Sequence, residues 1–439
     1  MQHCDILLHA SHIVTQDEAR TVLTDGSIAI CGEHIAAIGP RADMAPQWQP
    51  ARTLDLGEAL VLPGLVNAHT HAAMTFLRGL ADDLPLMTWL TEHIWPVEKH
   101  LTREIVEWSA LLGCAEMLRT GTTAFNDMYL IQDATYRAAD KAGIRCLGGE
   151  GIFAFPSPAY AAVDTGFAIA RSLYETWQHH PRIRQAINPH AVYTTTPEIL
   201  TRCMALAEEL DVPLHIHLAE TTTETAQCLD MHGKRPVAYC HELGLLSPRT
   251  TIAHGVDLTD EELDIIAVTG TVVAHNPRSN MKLASGVARL PDMLARRIPV
   301  GLGTDGAASN NTLNMFGEMH VAAMLHKITS GDPTSAPAQS VLDMATLGGA
   351  AALHWKGLGA LAAGGPADLV ALDLSVPSMQ PLYNPVSHLV YAACGHETRL
   401  TMVAGEILYA DNAFTRFDYP ALLQEMQSVK RWVLERLGR

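Results

Sequence analysis

Apolar residues come in short, turn-bounded runs at both ends of the chain and in longer, helix-spaced sets between them. The early runs are Asp5-Ile-Leu-Leu-His, His12-Ile-Val-Thr, Gly26-Ser-Ile-Ala-Ile-Cys-Gly, His34-Ile-Ala-Ala-Ile-Gly and Thr53-Leu-Asp-Leu. Each is bounded by Gly, Asp or Pro, the punctuation of hairpins. The same texture returns in Ala367-Asp-Leu-Val-Ala-Leu-Asp-Leu and Thr401-Met-Val-Ala-Gly-Glu-Ile-Leu-Tyr. Neither group has enough strands to be stable alone, so the two are expected to pair into one small β domain.

The middle of the chain alternates between the two periods. Thr102 is a predicted N-cap for a helix in which Ile105, Trp108, Leu111, Leu112, Ala115 and Leu118 recur at helical spacing, and Gly121 is its stop. A second helix is predicted over Pro197 to Leu210, opened by its proline. Strands are predicted at Leu62 to His69, Thr122 to Asp127, Ile144 to Gly149, Ile183 to Asn188, Val212 to Leu218, Thr250 to His254, Thr271 to His275 and Pro299 to Thr304. Eight strand-helix repeats imply a (β/α)8 TIM barrel, an α/β fold whose chemistry sits at the carboxyl ends of its strands. The expected organisation is 1–60 as the first part of a β-sandwich domain, 61–360 as the barrel, and 361–439 as the rest of the β domain with a terminal helix.

Polar residues collect where a barrel would need them. His69 and His71 follow the first strand, His190 the fourth, His217 and Glu220 the fifth, His254 and His275 end the sixth and seventh, and Asp305 follows the eighth. In an extended strand residues two apart share a face, so His69 and His71 can grip one ion. Catalytic zinc takes nitrogen and oxygen donors and keeps a position for water, whose pKa falls to about 7. His69, His71, His217 and Asp305 provide such a set, and Glu220 lies close enough along the chain to act as general acid/base. Zinc is the first expectation, one divalent ion per subunit, and iron or manganese also suits three imidazoles and an acid.

Rival readings exist for each. His215 shares a face with His217 and could be the ligand instead; His217 is preferred as nearer the strand end. His254 could be a core histidine bonded to a carbonyl, Asp305 a loop cap, and His275, His320 and His326 ordinary buried histidines. Four strand ends agreeing on one set argues against accident.

Composition narrows the function classes. Thirty Lys and Arg against 47 Asp and Glu leave a net charge of −17 with no basic cluster, the wrong sign for nucleic acid or an anionic membrane. No apolar run reaches the roughly 20 residues of a bilayer span. The amino-terminal residues have no basic flank, apolar core or cleavage signature, which predicts a cytoplasmic protein. The eight cysteines form no Cys-x-x-Cys pair and read as buried small hydrophobes.

Five stretches together resemble the amidohydrolase superfamily in its mononuclear aminohydrolase branch. They are Leu62-Pro-Gly-Leu-Val-Asn-Ala-His-Thr-His71, His217-Leu-Ala-Glu220, His254, His275-Asn-Pro-Arg-Ser-Asn-Met-Lys-Leu283 and Gly303-Thr-Asp-Gly-Ala-Ala-Ser-Asn-Asn311. Within that branch, Leu77-Arg-Gly-Leu-Ala-Asp-Asp-Leu-Pro-Leu-Met-Thr-Trp-Leu90 and His93-Ile-Trp-Pro-Val-Glu98 are most similar to the methylthioadenosine/S-adenosylhomocysteine deaminases. The resemblance implies hydrolytic deamination of an adenosine-type nucleoside, releasing ammonia and the inosine-type product. Asp305 would take a proton from the attacking water, His254 would hold and polarise the hydroxide, and Glu220 would protonate the ring nitrogen beside the carbon attacked. Glu98 would accept from the ribose hydroxyls, Trp89 would line the nucleoside pocket and His190 would contact ribose or base. A homo-oligomer is also implied.

One departure concerns the family's arginines for the homocysteine tail, which have no match around Glu150 to Tyr160, where Phe153, Phe155, Pro156 and Pro158 make the loop apolar. The thiomethyl nucleoside is therefore the expected preference. Three alternatives stand beside this reading. A two-metal cyclic-amide hydrolase would need a lysine near the end of strand four, and Arg182 to Tyr193 contains none. Guanine or a triazine, deaminated or dechlorinated, is another substrate class. A catalytically silent binding module is the third, and it predicts erosion of a ligand set that is intact here.

Overall fold

The computed structural model describes residues 1–84 and 86–438; Pro85, inside the 77–90 motif, and Arg439 lie outside the described residues. A nine-stranded sheet joins the two ends of the chain. Strands Gln2–Val14, Val22–Cys31, His34–Pro40, Trp48–Asp55 and Ala59–Pro63 come from the amino-terminal end. Leu369–Asp373, Thr398–Val403, Glu406–Ala410 and Ala413–Phe414 come from the other. The seam is antiparallel pairing of Ala59–Pro63 with Leu369–Asp373, Val61 opposite Ala371. Leu8, Ile13, Ile28, Val61, Leu369 and Met402 form the buried centre of this small β-sandwich.

The strand expected over Leu62 to His69 is two strands. Ala59–Pro63 belongs to the sandwich and Leu65–Thr70 opens the barrel, with Gly64 between them. The Gly64 N–H donates to the Asp368 carbonyl (3.1 Å), and a Cβ at this position would lie 2.1 Å from Thr123 Oγ1. Only glycine lets the chain pass from one sheet to the other here. An unbroken apolar run hides such a crossing, because both strands are buried on both faces.

The barrel continues with Thr122–Tyr129, Arg145–Ile152, Ile183–Gln185 with Asn188–Pro189, Leu214–Leu218, Thr250–His254, Val272–His275 and Val300–Leu302. Strands one to four and five to eight form two parallel sheets. The fourth strand, expected whole, breaks at 186–187. Its seam to the fifth is carried by parallel bridges Ile187 to Leu214 and Ala191 to His217. The eighth closes on the first where Asp305 N–H donates to the His69 carbonyl (2.9 Å) and Thr304 N–H donates to Asn67 Oδ1 (3.0 Å).

The helices follow their caps. Arg103–Arg119 starts at Thr102, whose hydroxyl accepts from Ile105 N–H (3.3 Å), and Pro197–Leu210 starts at Thr196 in the same way. The carboxyl-terminal helix Tyr419–Arg436 packs on Arg103–Arg119. Among the described residues, no helix is long and apolar enough to cross a membrane. Six of the eight cysteines are buried, but Cys394 is exposed and Cys31 partly so, since both sit at turns and strand ends rather than in the core.

Candidate active site

His69 is the penultimate residue of the first barrel strand and is fully buried. Its Nδ1 lies 2.8 Å from His215 Nε2, and its Nε2 has no hydrogen-bond partner among the described residues. His71, one residue beyond the strand, has its Nδ1 against the Met128 carbonyl. Its Nε2 points back to within 3.3 Å of His217 Nε2. His217 donates from Nδ1 to the His190 carbonyl (2.9 Å). Three ring nitrogens thus converge while their partners on the far side of each ring are engaged elsewhere. The ligand atoms of His69, His71 and His217 all lie within 4.8 Å of one another.

An orphaned ring nitrogen in a fully buried cluster is costly unless something coordinates it. The donor set fits a divalent metal: outward Nδ1 contacts fix each ring, and the inward Nε2 atoms would be the ligands. Burial drives His69 down to about 4, so its ring is neutral near pH 7. Burial pulls on His71 too, but Asp305, the Met128 carbonyl and Asp127 push it up to about 9, so this ring would give up a proton on serving as a ligand.

Asp305 faces the imidazoles from just past the eighth strand, Oδ1 lying 3.2 Å from His71 Nε2 and 3.5 Å from His69 Nε2. Burial opposes its charge, yet the two histidines hold its carboxyl well below the usual range. Its other oxygen accepts from Ser279 Oγ (2.6 Å) and Ser309 Oγ (2.9 Å), and Gly306 N–H donates to Oδ1 (2.8 Å). The turn leaves no room at Gly303, where a Cβ would lie 2.3 Å from Asn276 Oδ1. Behind it, Asn310 donates to the Thr304 carbonyl (2.6 Å) and to buried Glu318 (2.7 Å) of helix Met315–Ser330.

Glu220 follows the fifth strand, and its Oε2 is 3.8 Å from His254 Nε2. Burial pushes its carboxyl up, with Asp305 adding and His254 opposing, which favours the protonated acid. His254 is oriented from behind, its Nδ1 lying 2.9 Å from Asn280 Oδ1.

A cavity opens over these groups. His71, His217, Glu220, His254 and Asp305 form its floor, and Trp89, Glu98 and His190 line its wall with Trp95, Tyr129, Phe153 and Tyr193. His71, His217, Glu220, His254, Asp305, Trp89, Glu98 and His190 therefore share one mouth of the barrel, while His69 sits behind the floor, wholly buried. No lysine or arginine is among the lining residues described. Tyr129 donates to Glu98 Oε1 (2.5 Å), and burial pushes Glu98 up. His190 rests on Phe153, ring centroids 4.7 Å apart, and burial takes it down to about 3.

Sequence reasoning missed several of these partners. Ser279, Asn280 and Ser309 lie inside the quoted motifs, so their signal was present but unassigned. Tyr129 had no motif, and only its place at the end of the second strand could have marked it. His215, the rival to His217, faces His69 from behind.

Residues 60–408 match the model of the amidohydrolase family. The chain belongs to that family. This amidohydrolase is 72% identical over 436 residues to 5-methylthioadenosine/S-adenosylhomocysteine deaminase of Nitratidesulfovibrio vulgaris, covering 99% of both chains. An adenosine deaminase from Xanthomonas campestris, solved with bound zinc, superposes on the amidohydrolase with a TM-score of 0.96 at 39% identity, covering 98% of this chain and 99% of that one. Atrazine chlorohydrolase from Arthrobacter aurescens, complexed with zinc, gives a TM-score of 0.89 at 25% identity over 97% of this chain and 100% of that one.

Proposed function

We propose that this amidohydrolase removes the 6-amino group of an adenosine-type nucleoside by hydrolysis, with 5'-methylthioadenosine as its preferred substrate. The observation that carries the reading is the convergence of the His69, His71 and His217 ring nitrogens, with the Asp305 carboxylate against two of them, beside a buried Glu220 whose carboxyl is pushed up by burial. The full-length similarity to the deaminase from Nitratidesulfovibrio vulgaris supports the substrate class.

His69, His71, His217 and Asp305 would hold one divalent ion, zinc by donor chemistry and by likeness to the zinc-containing adenosine deaminase. When bound, that ion supplies Lewis acidity sufficient to bring the pKa of a water to about 7. Asp305 accepts the proton of the attacking water, its second oxygen being fixed by Ser279 and Ser309. His254 orients the nucleophile from Nε2, because Nδ1 is committed to Asn280. Glu220 gives its proton to the purine nitrogen next to the carbon attacked, which makes that carbon electrophilic without leaving charge on the ring. Asp305 passes the proton it took to the 6-amino group as the adduct's hydroxyl proton goes to Glu220, so the tetrahedral adduct expels ammonia and leaves the inosine-type product with both carboxyl groups restored. Glu98 accepts from the ribose hydroxyls, His190 contacts the ribose or base, and Trp89 flanks the nucleoside.

The wall beyond the ribose is aromatic, with Phe153, Phe155 and Trp95 in succession at centroid separations of 5.2 and 6.4 Å. A thiomethyl group is at home there. A homocysteine carboxylate would meet no cation among the lining residues described. The deciding experiment measures ammonia release from adenosine, methylthioadenosine, S-adenosylhomocysteine, guanine and a chlorotriazine by protein of known metal content. The expected outcome is the highest kcat/KM with methylthioadenosine at one metal per chain. Equal or better kcat/KM with S-adenosylhomocysteine overturns the preference, and chloride release alone overturns the deaminase reading.

A further inference from the structure

We infer that Glu224 is a positioning residue for the acid/base Glu220, acting through the backbone that carries it. The inference rests on the deaminase reading above. Glu224 is the third residue of helix Thr222–His232, whose N-cap is Thr221. In a capping box a glutamate at this position reaches back to the amide of the cap residue. Here the carboxylate reaches further. Oε2 accepts from the Glu220 N–H (2.7 Å) and Oε1 from the Ala219 N–H (3.0 Å). The cap itself keeps its ordinary bond, Thr221 Oγ1 accepting from Glu224 N–H (3.1 Å).

The place of this clamp matters. Ala219 has a φ of +54°, a left-handed conformation that an alanine adopts only under constraint. Its carbonyl accepts from the N–H groups of Val256 (2.8 Å) and Asp257 (2.9 Å), just beyond His254. The peptide unit leading into Glu220 is therefore gripped from Glu224 on one side and from the loop after strand six on the other. Glu224 itself is 3% exposed, and it is absent from the wall of the catalytic cavity, so it acts on Glu220 by placement. Both carboxylate oxygens are needed as acceptors. In Glu224→Gln the amide nitrogen would face a backbone donor, and one of the two N–H groups would be left unpaired.

The test compares wild type, E224Q and T221A as metal-loaded proteins. For E224Q the expected result is a fall in kcat of about 10- to 100-fold with KM within twofold and metal content unchanged, since placement errors near 1 Å cost about that much. Hydrogen exchange of the peptide containing Ala219 and Glu220 should accelerate in E224Q. T221A removes only the helix cap and should lower Tm with kcat within twofold. Equal kcat in folded E224Q, or an equal loss of kcat in T221A, overturns the inference. Should E224Q not fold, E224D serves, its shorter carboxylate reaching one amide at most; kcat equal to wild type overturns the inference. A wild-type enzyme that deaminates none of the aminopurine nucleosides instead overturns the reading beneath it.

Discussion

His215 Nε2 lies 2.8 Å from His69 Nδ1, both rings being buried. The two histidines of the fifth strand divide their work by depth. His217, nearer the mouth, meets His71, while His215, two residues deeper, meets the far side of His69. On its other face His215 Nδ1 lies 3.1 Å from the Asn126 amide, so a buried line runs from the second strand through His215 to the His69 ring. His69 cannot turn its Nε2 away from the cluster without breaking that line.

Replacing His215 with Leu keeps the core filled but removes the partner of His69 Nδ1. Second-layer contacts of this kind are worth about 10- to 100-fold in metal affinity. H215L should lose its metal to a chelator at correspondingly lower concentration, read as metal content after equilibrium dialysis. An unchanged titration would mean that the ring of His69 is held by packing alone.

Much of this was legible in the chain. The His-x-His at 69 and 71, His217, Glu220, His254 and Asp305 mark strand ends, and strand ends are where a barrel gathers its chemistry. Position separates His215 from His217, since only the residue nearer the carboxyl end lines the cavity. Period alone could not separate Pro63 from Leu65, because buried strands of two different sheets share one apolar run. Nor could it reveal Glu224 or Tyr129, whose partners are respectively a backbone stretch and a helix distant in sequence.

Glu220→Gln retains the shape of the side chain and removes the proton to be delivered. General acid/base groups contribute about 10²- to 10⁴-fold, so kcat should fall by at least 10² while metal content stays at the wild-type value. Ammonia release measured on metal-assayed protein checks it, and an undiminished rate would remove Glu220 from the mechanism.

Tyr129→Phe deletes the hydroxyl that donates to Glu98 at 2.5 Å. Burial already pushes Glu98 up, and loss of a donor to its charged form raises it further, so less carboxylate is available to the ribose at neutral pH. One such bond is worth about 1 kcal/mol, or roughly fivefold. KM for a nucleoside should rise by about that factor with kcat little changed. Steady-state kinetics of Y129F decide the point, and an unaltered KM would separate Glu98 from ribose binding.

Glu318 gives the protein a pH-dependent stability that is separable from catalysis. Burial pushes its carboxyl from an ordinary 4.5 up to about 8, against the opposing pull of Arg278. Below 4.5 both folded and unfolded chains hold this proton. Between 4.5 and about 8 the folded chain keeps it and the unfolded chain releases it, so the unfolded state binds fewer protons and stability falls as pH rises. The slope for one group is at most about 1.4 kcal/mol per pH unit, and it vanishes once both states are ionised. Glu318→Gln keeps an acceptor for Asn310 and abolishes the titration. Urea unfolding of metal-loaded wild type and E318Q at pH 6, 7 and 8 should therefore show a stability difference that shifts steadily in favour of E318Q as pH rises. A constant difference across that range would mean that Glu318 is already charged in the folded protein, paired with Arg278 across their 3.9 Å separation.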